Sequence, residues 1–196
     1  MYALEVQRNG TTLAVVGGEH ALMFSADVSA MIEEEAATID IRGMNDLGSD
    51  RKSHTSWLQL APLSNGDLLA FRFIETAAAT APAKEVATDS EEYLADQAHY
   101  KEQLQSNSPT PRELKIKQPN ATFQLQLTGI ERITATLENG REFLSFRVLW
   151  NQWHPEHCRV SLSSFSQQEG LARTGGKQWF QGVLRVGEQC VVKVGA

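Results

Sequence analysis

The chain has 196 residues, 41% of them hydrophobic, with 24 acidic and 18 basic side chains for a formal charge of −6, and two cysteines. These values exclude a collagen-like or disordered chain, a disulfide scaffold and a generally basic nucleic-acid-binding surface. No apolar run reaches the roughly 18 residues that a membrane helix needs, and residues 1–8 show no basic leader with an apolar core behind it, so a cytoplasmic location is expected.

Residues 2–8 alternate apolar and polar side chains, and Asn9-Gly10, a pair suited to a tight hairpin, leads into a second run at 11–17. Runs at 21–31 and 37–44 flank the acidic turn Glu33-Glu34-Glu35. Those at 55–62 and 67–75 are separated by the turn Asn65-Gly66. Six short strands at this spacing predict a small antiparallel sandwich or barrel. Residues 76–89, rich in Ala, Thr and Pro, read as a connector. Thr88 and Glu91 have the spacing of a capping box. They predict an amphipathic helix over about 90–105 with Tyr93, Tyr100 and Leu104 on one face. Ser106 to Pro119, with three prolines, is a second linker. Strands are predicted again at 121–127, 130–137, 141–150, 157–164, 178–185 and 188–194, with Asn139-Gly140 as another hairpin turn.

The later strands repeat the earlier ones. Shifted by 120 residues, Phe24-Ser-Ala-Asp-Val28 lands on Leu144-Ser-Phe-Arg-Val148; shifted by 121, Ile39-Asp-Ile41 lands on Val160-Ser-Leu162. Trp57-Leu-Gln59 meets Trp179-Phe-Gln181 at 122, and Leu63-Ser-Asn-Gly-Asp67 meets Leu184-Arg-Val-Gly-Glu188 at 121. The expected fold is therefore mainly β: two tandem copies of a six-stranded antiparallel sandwich or barrel unit related by internal duplication. They occupy 1–76 and 120–196, joined by a linker over 77–119 that carries the helix. Charge divides along the same line. Residues 1–106 hold 17 acids and 7 bases, and residues 107–196 hold 7 acids and 11 bases. The first half thus offers an acidic face to a basic partner.

Motifs with catalytic chemistry are thin. His154-Pro155-Glu156-His157-Cys158 is the densest group of zinc-type ligands, but strand alternation sends His157 and Cys158 to opposite faces, and a polar hairpin tip is the simpler reading. Gly170 to Lys177 misses phosphate-loop spacing by one residue and is followed by a strand rather than a helix, so it reads as a loop. Cys158 and Cys190 are expected to be buried, unlinked thiols. There is no Gly-x-Ser-x-Gly elbow. Glu33, Glu34 and Glu35 make a contact surface for Lys and Arg more readily than an acid–base centre. Arg141, Arg147, Trp150, Trp153 and Arg159 form only a weak version of a nucleic-acid stripe. Trp150 and Trp153 fit either an interface or one closed end of a barrel, whereas Trp57 and Trp179, which recur, are assigned to the core.

Ile39-Asp-Ile-Arg-Gly-Met-Asn-Asp46, Trp57-Leu-Gln-Leu60 and Leu63-Ser-Asn-Gly-Asp-Leu-Leu-Ala-Phe-Arg-Phe-Ile-Glu75, followed by an acidic helix, resemble a group of small bacterial immunity-like β proteins. That group carries a glycine after its fourth strand, a Gly-Asp-x-x-x-x-Arg-x-x-Glu strand and a charged helix. The resemblance covers the first 105 or so residues and concerns a turn and a strand, so it transfers no functional residues. It implies a gene that sits beside a bacterial toxin. The second β unit departs from that pattern.

The expected function is non-enzymatic. The chain is read as an immunity-type inhibitor that binds a cognate toxin or another basic protein through Glu33, Glu34, Glu35, Trp150 and Trp153. It is expected to need no cofactor, to touch neither nucleic acid nor membrane, and to be a monomer or small homo-oligomer. The alternative is a small-molecule- or metal-binding β-barrel using His154, His157 and Cys158, with possible catalysis there. A structural subunit of a bacterial or phage assembly is a further alternative.

Overall fold

The computed structural model describes residues 1–106, 117, 120–137, 141–166 and 176–195. Among these residues thirteen strands and one helix follow one another as β1 (Tyr2–Arg8), β2 (Thr11–Gly17), β3 (Ala21–Met31), β4 (Thr38–Gly48), β5 (Arg51–Pro62), β6 (Leu68–Glu75), β7 (Lys84–Ala87) and α1 (Glu91–Ser106). After these come β8 (Thr122–Leu127), β9 (Ile133–Thr136), β10 (Phe143–Asn151), β11 (His157–Phe165), β12 (Lys177–Arg185) and β13 (Gln189–Gly195). Asn139-Gly140 and most of the Gly170–Lys177 loop lie outside the described residues.

All pairings are antiparallel and form two sheets. Sheet A runs β2-β1-β6-β13-β8-β9, and sheet B runs β12-β11-β10-β3-β4-β5-β7. The two predicted units do not stand side by side. Each supplies three strands to each sheet, and the halves meet where β6 pairs with β13 and β3 with β10. Both strand orders read the same from either end under the correspondence of β1–β6 with β8–β13, with β7 as an addition. Hydrogen bonds across the join follow suit. The amide of Gly66 donates to the Val194 carbonyl and that of Gly187 to the Phe73 carbonyl; likewise Val194 donates to Asp67 and Phe73 to Glu188.

Alternation explains the packing. Leu4, Val6, Phe71, Phe73, Phe123 and Leu125 from sheet A and Phe24, Val28, Ile39, Phe146, Val160 and Leu162 from sheet B form one buried cluster between the sheets. Phe71 and Phe146 meet across it at 5.1 Å. Trp57 and Trp179 pack against this core as expected. Cys158 and Cys190 are both buried and unlinked. Burial raises both thiols above their ordinary range, and Cys190 adds to the effect on Cys158.

The residues between β6 and α1 are more structured than a connector. Lys84–Ala87 adds to the edge of β5 over Ser53–Ser56, and Thr80 exchanges hydrogen bonds with Val15 at the edge of β2. The helix cap also differs from expectation. Ser90 is the N-cap, its hydroxyl accepting from the Tyr93 amide, whereas the Thr88 hydroxyl donates to the Lys52 carbonyl instead. Among the described helix side chains only Tyr93 is part-buried; Tyr100 and Leu104, the other members of the expected apolar face, lie outside the described side chains. No helix among the described residues is long and apolar enough to cross a membrane.

Candidate functional site

Because Phe24, Ala26 and Val28 point into the core, Ser25, Asp27 and Ser29 stand on the outer face of sheet B. Arg147 lies directly opposite Asp27 on β10, and Asp40 directly opposite it on β4. Arg42 follows two residues after Asp40, on the same face. A row Arg147–Asp27–Asp40–Arg42 results. Arg147 Nε donates to Asp27 Oδ1, the Ser25 hydroxyl donates to Asp27 Oδ2 at 2.8 Å, and Arg42 Nε sits 2.8 Å from Asp40 Oδ2. Both residues are buried, with side chains 10% (Asp27) and 12% (Asp40) exposed. Like charges directly opposite on neighbouring strands oppose pairing. Burial pushes the Asp40 carboxyl above its ordinary range, and Asp27 adds to this, against Arg42, the Leu60 amide and Arg147.

The strand facing Asp40 is irregular. Ile39 pairs with Ala61 and Ile41 with Leu58, so Gln59 and Leu60 bulge out opposite Asp40. Leu60 takes φ 43° and is 62% exposed. The bulge opens a cleft of about 320 Å³ between sheet B and α1. Asp40, Arg42, His54, Thr55, Gln59 and Leu60 form its floor and rim; Lys84, Val86, Tyr93 and Asp96 form its wall. The His54 and Tyr93 rings stack at 5.1 Å and 15°. Burial, with help from Arg42, lowers the His54 pKa, which keeps the imidazole neutral near pH 7. Thr55 is 2% exposed and its Oγ1 has no hydrogen-bond partner.

A second depression of about 430 Å³ lies on the same face. Its floor is Leu22, Met23 and Met44, and its walls are the β10–β11 tip (Gln152, Trp153) and the β4–β5 tip (Asp46, Gly48, Ser49, Asp50, Lys52). The two hollows adjoin, since Met44 of one pairs with His54 of the other.

The residues anticipated as a partner surface do not come together. Trp150 is 7% exposed, stacked on Phe24 at 4.7 Å and 8°, its indole N–H donating to the Pro155 carbonyl. Strand alternation puts it on the core face, which corrects the interface option. Trp153, at the hairpin tip, is 75% exposed. Glu33, Glu34 and Glu35 lie in the β3–β4 turn at the other end of the sheet, where Lys117 Nζ approaches Glu35 at 3.4 Å. The register from Met23–Asn151 to Met31–Phe143 separates the two ends by about 26 Å at the usual strand rise.

The His154 and His157 rings stack at 5.7 Å and His157 Nδ1 lies 3.0 Å from Glu156, but Cys158 points into the core. Among the described residues no group of three or more His, Cys, Asp or Glu is placed to hold a metal ion. Sequence reasoning missed the Asp27–Asp40 pair and the His54–Tyr93 stack. Outward-facing acids within two apolar strands were the available signal. Comparison with protein-family models, with curated proteins and with solved structures returned no match.

Proposed function

We propose that this chain is a non-enzymatic protein-binding protein that engages a basic partner at the Trp153 end of sheet B, in the manner of an immunity-type inhibitor of a bacterial toxin. One observation carries the reading. Trp153 is three-quarters exposed beside a hollow floored by Met23 and Met44, and the surrounding turns carry Glu19, Asp46, Asp50 and Glu156 against Lys52 and Arg51, the latter paired with Asp89. Tryptophan is a favoured binding anchor, methionine adapts to what it meets, and an acidic rim speeds encounter with a basic surface. The turn at Glu33–Glu35 is too distant to share this patch and serves at most as a second contact. On this reading the protein works in the cytoplasm, where its two thiols stay reduced. The palindromic strand order and paired cross-join hydrogen bonds further support the origin of the two halves by duplication.

Affinity capture from the source organism tests the proposal, with wild type, Trp153→Ala and Asp46→Asn/Asp50→Asn as parallel baits. The expected result is one basic protein retained by wild type and lost from both variants. Capture of the same proteins by all three baits, or of none by wild type, would overturn it.

A further inference from the structure

We propose that the cleft between sheet B and α1 is a binding site for an organic cation, an alkylguanidinium or alkylammonium group, separate from the Trp153 hollow and independent of the protein-binding reading. Three observations converge there. The β4–β5 ladder skips Asp40 and bulges at Gln59–Leu60, so on its β5 side this buried carboxylate faces a cavity. Asp27 stands directly beside it but is paired with Arg147, so Asp40 and Asp96 are the carboxylates that face the cleft. The wall supplies an aromatic surface, Tyr93 stacked on His54, with Asp96 one helical turn further on.

Arg42 and Lys84 also line the cleft, yet each already rests on a carboxylate: Arg42 on Asp40 at 2.8 Å and Lys84 on Glu92 at 2.6 Å. Arg42 keeps more than half of its side chain in solvent and can swing aside. An anion would have to displace both pairings and meet Asp40 and Asp96 as well. A cation meets carboxylates below and an aromatic face beside it, the two things that bind guanidinium and ammonium groups. The fold does not demand these acids. The matching positions in the second half, at shifts of 120 and 121, are Arg147, Ser161 and Ser163 in place of Asp27, Asp40 and Arg42.

The test is titration of the 15N-labelled full chain, followed by backbone amide shifts. Agmatine serves as a free cation, N-acetylarginine amide as a stand-in for a partner's side chain, and acetate as an anion. Saturable shifts at His54, Ser56 and Tyr93 with a cationic probe are expected, with Asp40→Asn weakening the affinity about tenfold or more, as loss of a charge-assisted hydrogen bond does. Asp96→Asn, on the exposed wall, should weaken it several-fold and keeps the test valid if Asp40→Asn folds poorly. Tighter binding of agmatine names a small metabolite as the source, and tighter binding of the arginine amide names a protein side chain; either supports the site. No saturable shift with either cation, equal affinity in both variants, or acetate moving the same amides as strongly would overturn it.

Discussion

Two aspartates, Asp67 just before β6 and Asp40 on β4, respond to pH in opposite senses. Asp67, 5% exposed, accepts from the Ser64 amide at 2.7 Å and Asn9 Nδ2 at 2.7 Å, and pairs with Arg8 at 2.6 Å. Burial would raise its pKa, but the hydrogen bonds from Arg8, Ser64 and Asn9 outweigh that and hold it below the ordinary carboxylate value. Its stabilisation is therefore present above about pH 4, the unfolded value, and is lost as pH falls through the lower folded value. Asp67→Ala should cost about 1–3 kcal/mol at pH 7, and thermal melts from pH 7 to pH 2 should show a shallower acid limb than wild type. Asp40 behaves conversely. With its folded pKa raised, the native state binds the proton more tightly, so ionisation of Asp40 costs stability as pH rises above the unfolded value. Asp40→Asn should thus gain in Tm relative to wild type between pH 4 and pH 7, and a pH-independent difference would contradict this. The Asn65-Gly66 turn was legible as a turn dipeptide, but the partners of Asp67 were not. Arg8 and Asn9 lie 58 or more positions away, a distance that no local pattern encodes. Gly43, the glycine of the fourth strand, has a similar tertiary cause. A Cβ there would meet Thr55 Oγ1 at 2.9 Å and the Met23 carbonyl at 3.0 Å.

At the scale of elements, alternation located twelve strands to within a few residues, because each strand buries one face against the same core. It failed at β7. Lys84–Ala87 is four residues long, carries no buried face and is held by pairing to β5 alone, so its sequence holds no periodic trace. The β4–β5 bulge was equally invisible, since an extra residue shows only in the pairing. Leu60, at φ 43°, holds a conformation that glycine adopts at little cost. Leu60→Gly should therefore leave stability unchanged or raise it by up to about 1 kcal/mol, as read from urea midpoints. The helix is tied down by its first turn: Ser90 caps it, Tyr93 stacks on His54, and Lys84 pairs with Glu92. Ser90→Ala should cost the helix about 1 kcal/mol. Hydrogen exchange at residues 94–99 should speed up while exchange in β3 and β10 stays unchanged, because the helix adds little to the core.

For the molecule as a whole, the six core strands of each half and their division into two sets were readable, and the assembly was not. Six strands per half could have closed two separate units. Instead the halves join at the centres of both sheets, with Asp27 and Arg147 facing each other at one join and the Gly66 and Gly187 turns flanking the other. Which strand pairs with which is set by how two apolar faces of equal length are best covered, a property of the pair rather than of either sequence. The charge division gains a meaning here, since the acidic and basic halves share one core. Residues 1–106 expressed alone expose the inner faces and central edges of both half-sheets. They should show none of the amide-proton dispersion of a folded β protein, whereas the full chain should unfold in a single transition.

The position of β13 has a consequence for synthesis. This strand is the last in chain order, yet it lies in the interior of sheet A, bonded to β6 on one side and β8 on the other. A ribosome adding 5–20 residues per second exposes β6 for about 6–24 seconds before its neighbour is made. Throughout that interval the Leu69–Phe73 edge is an open template for any other extended chain. Pairing of β6 on that side therefore waits until β13 has been made.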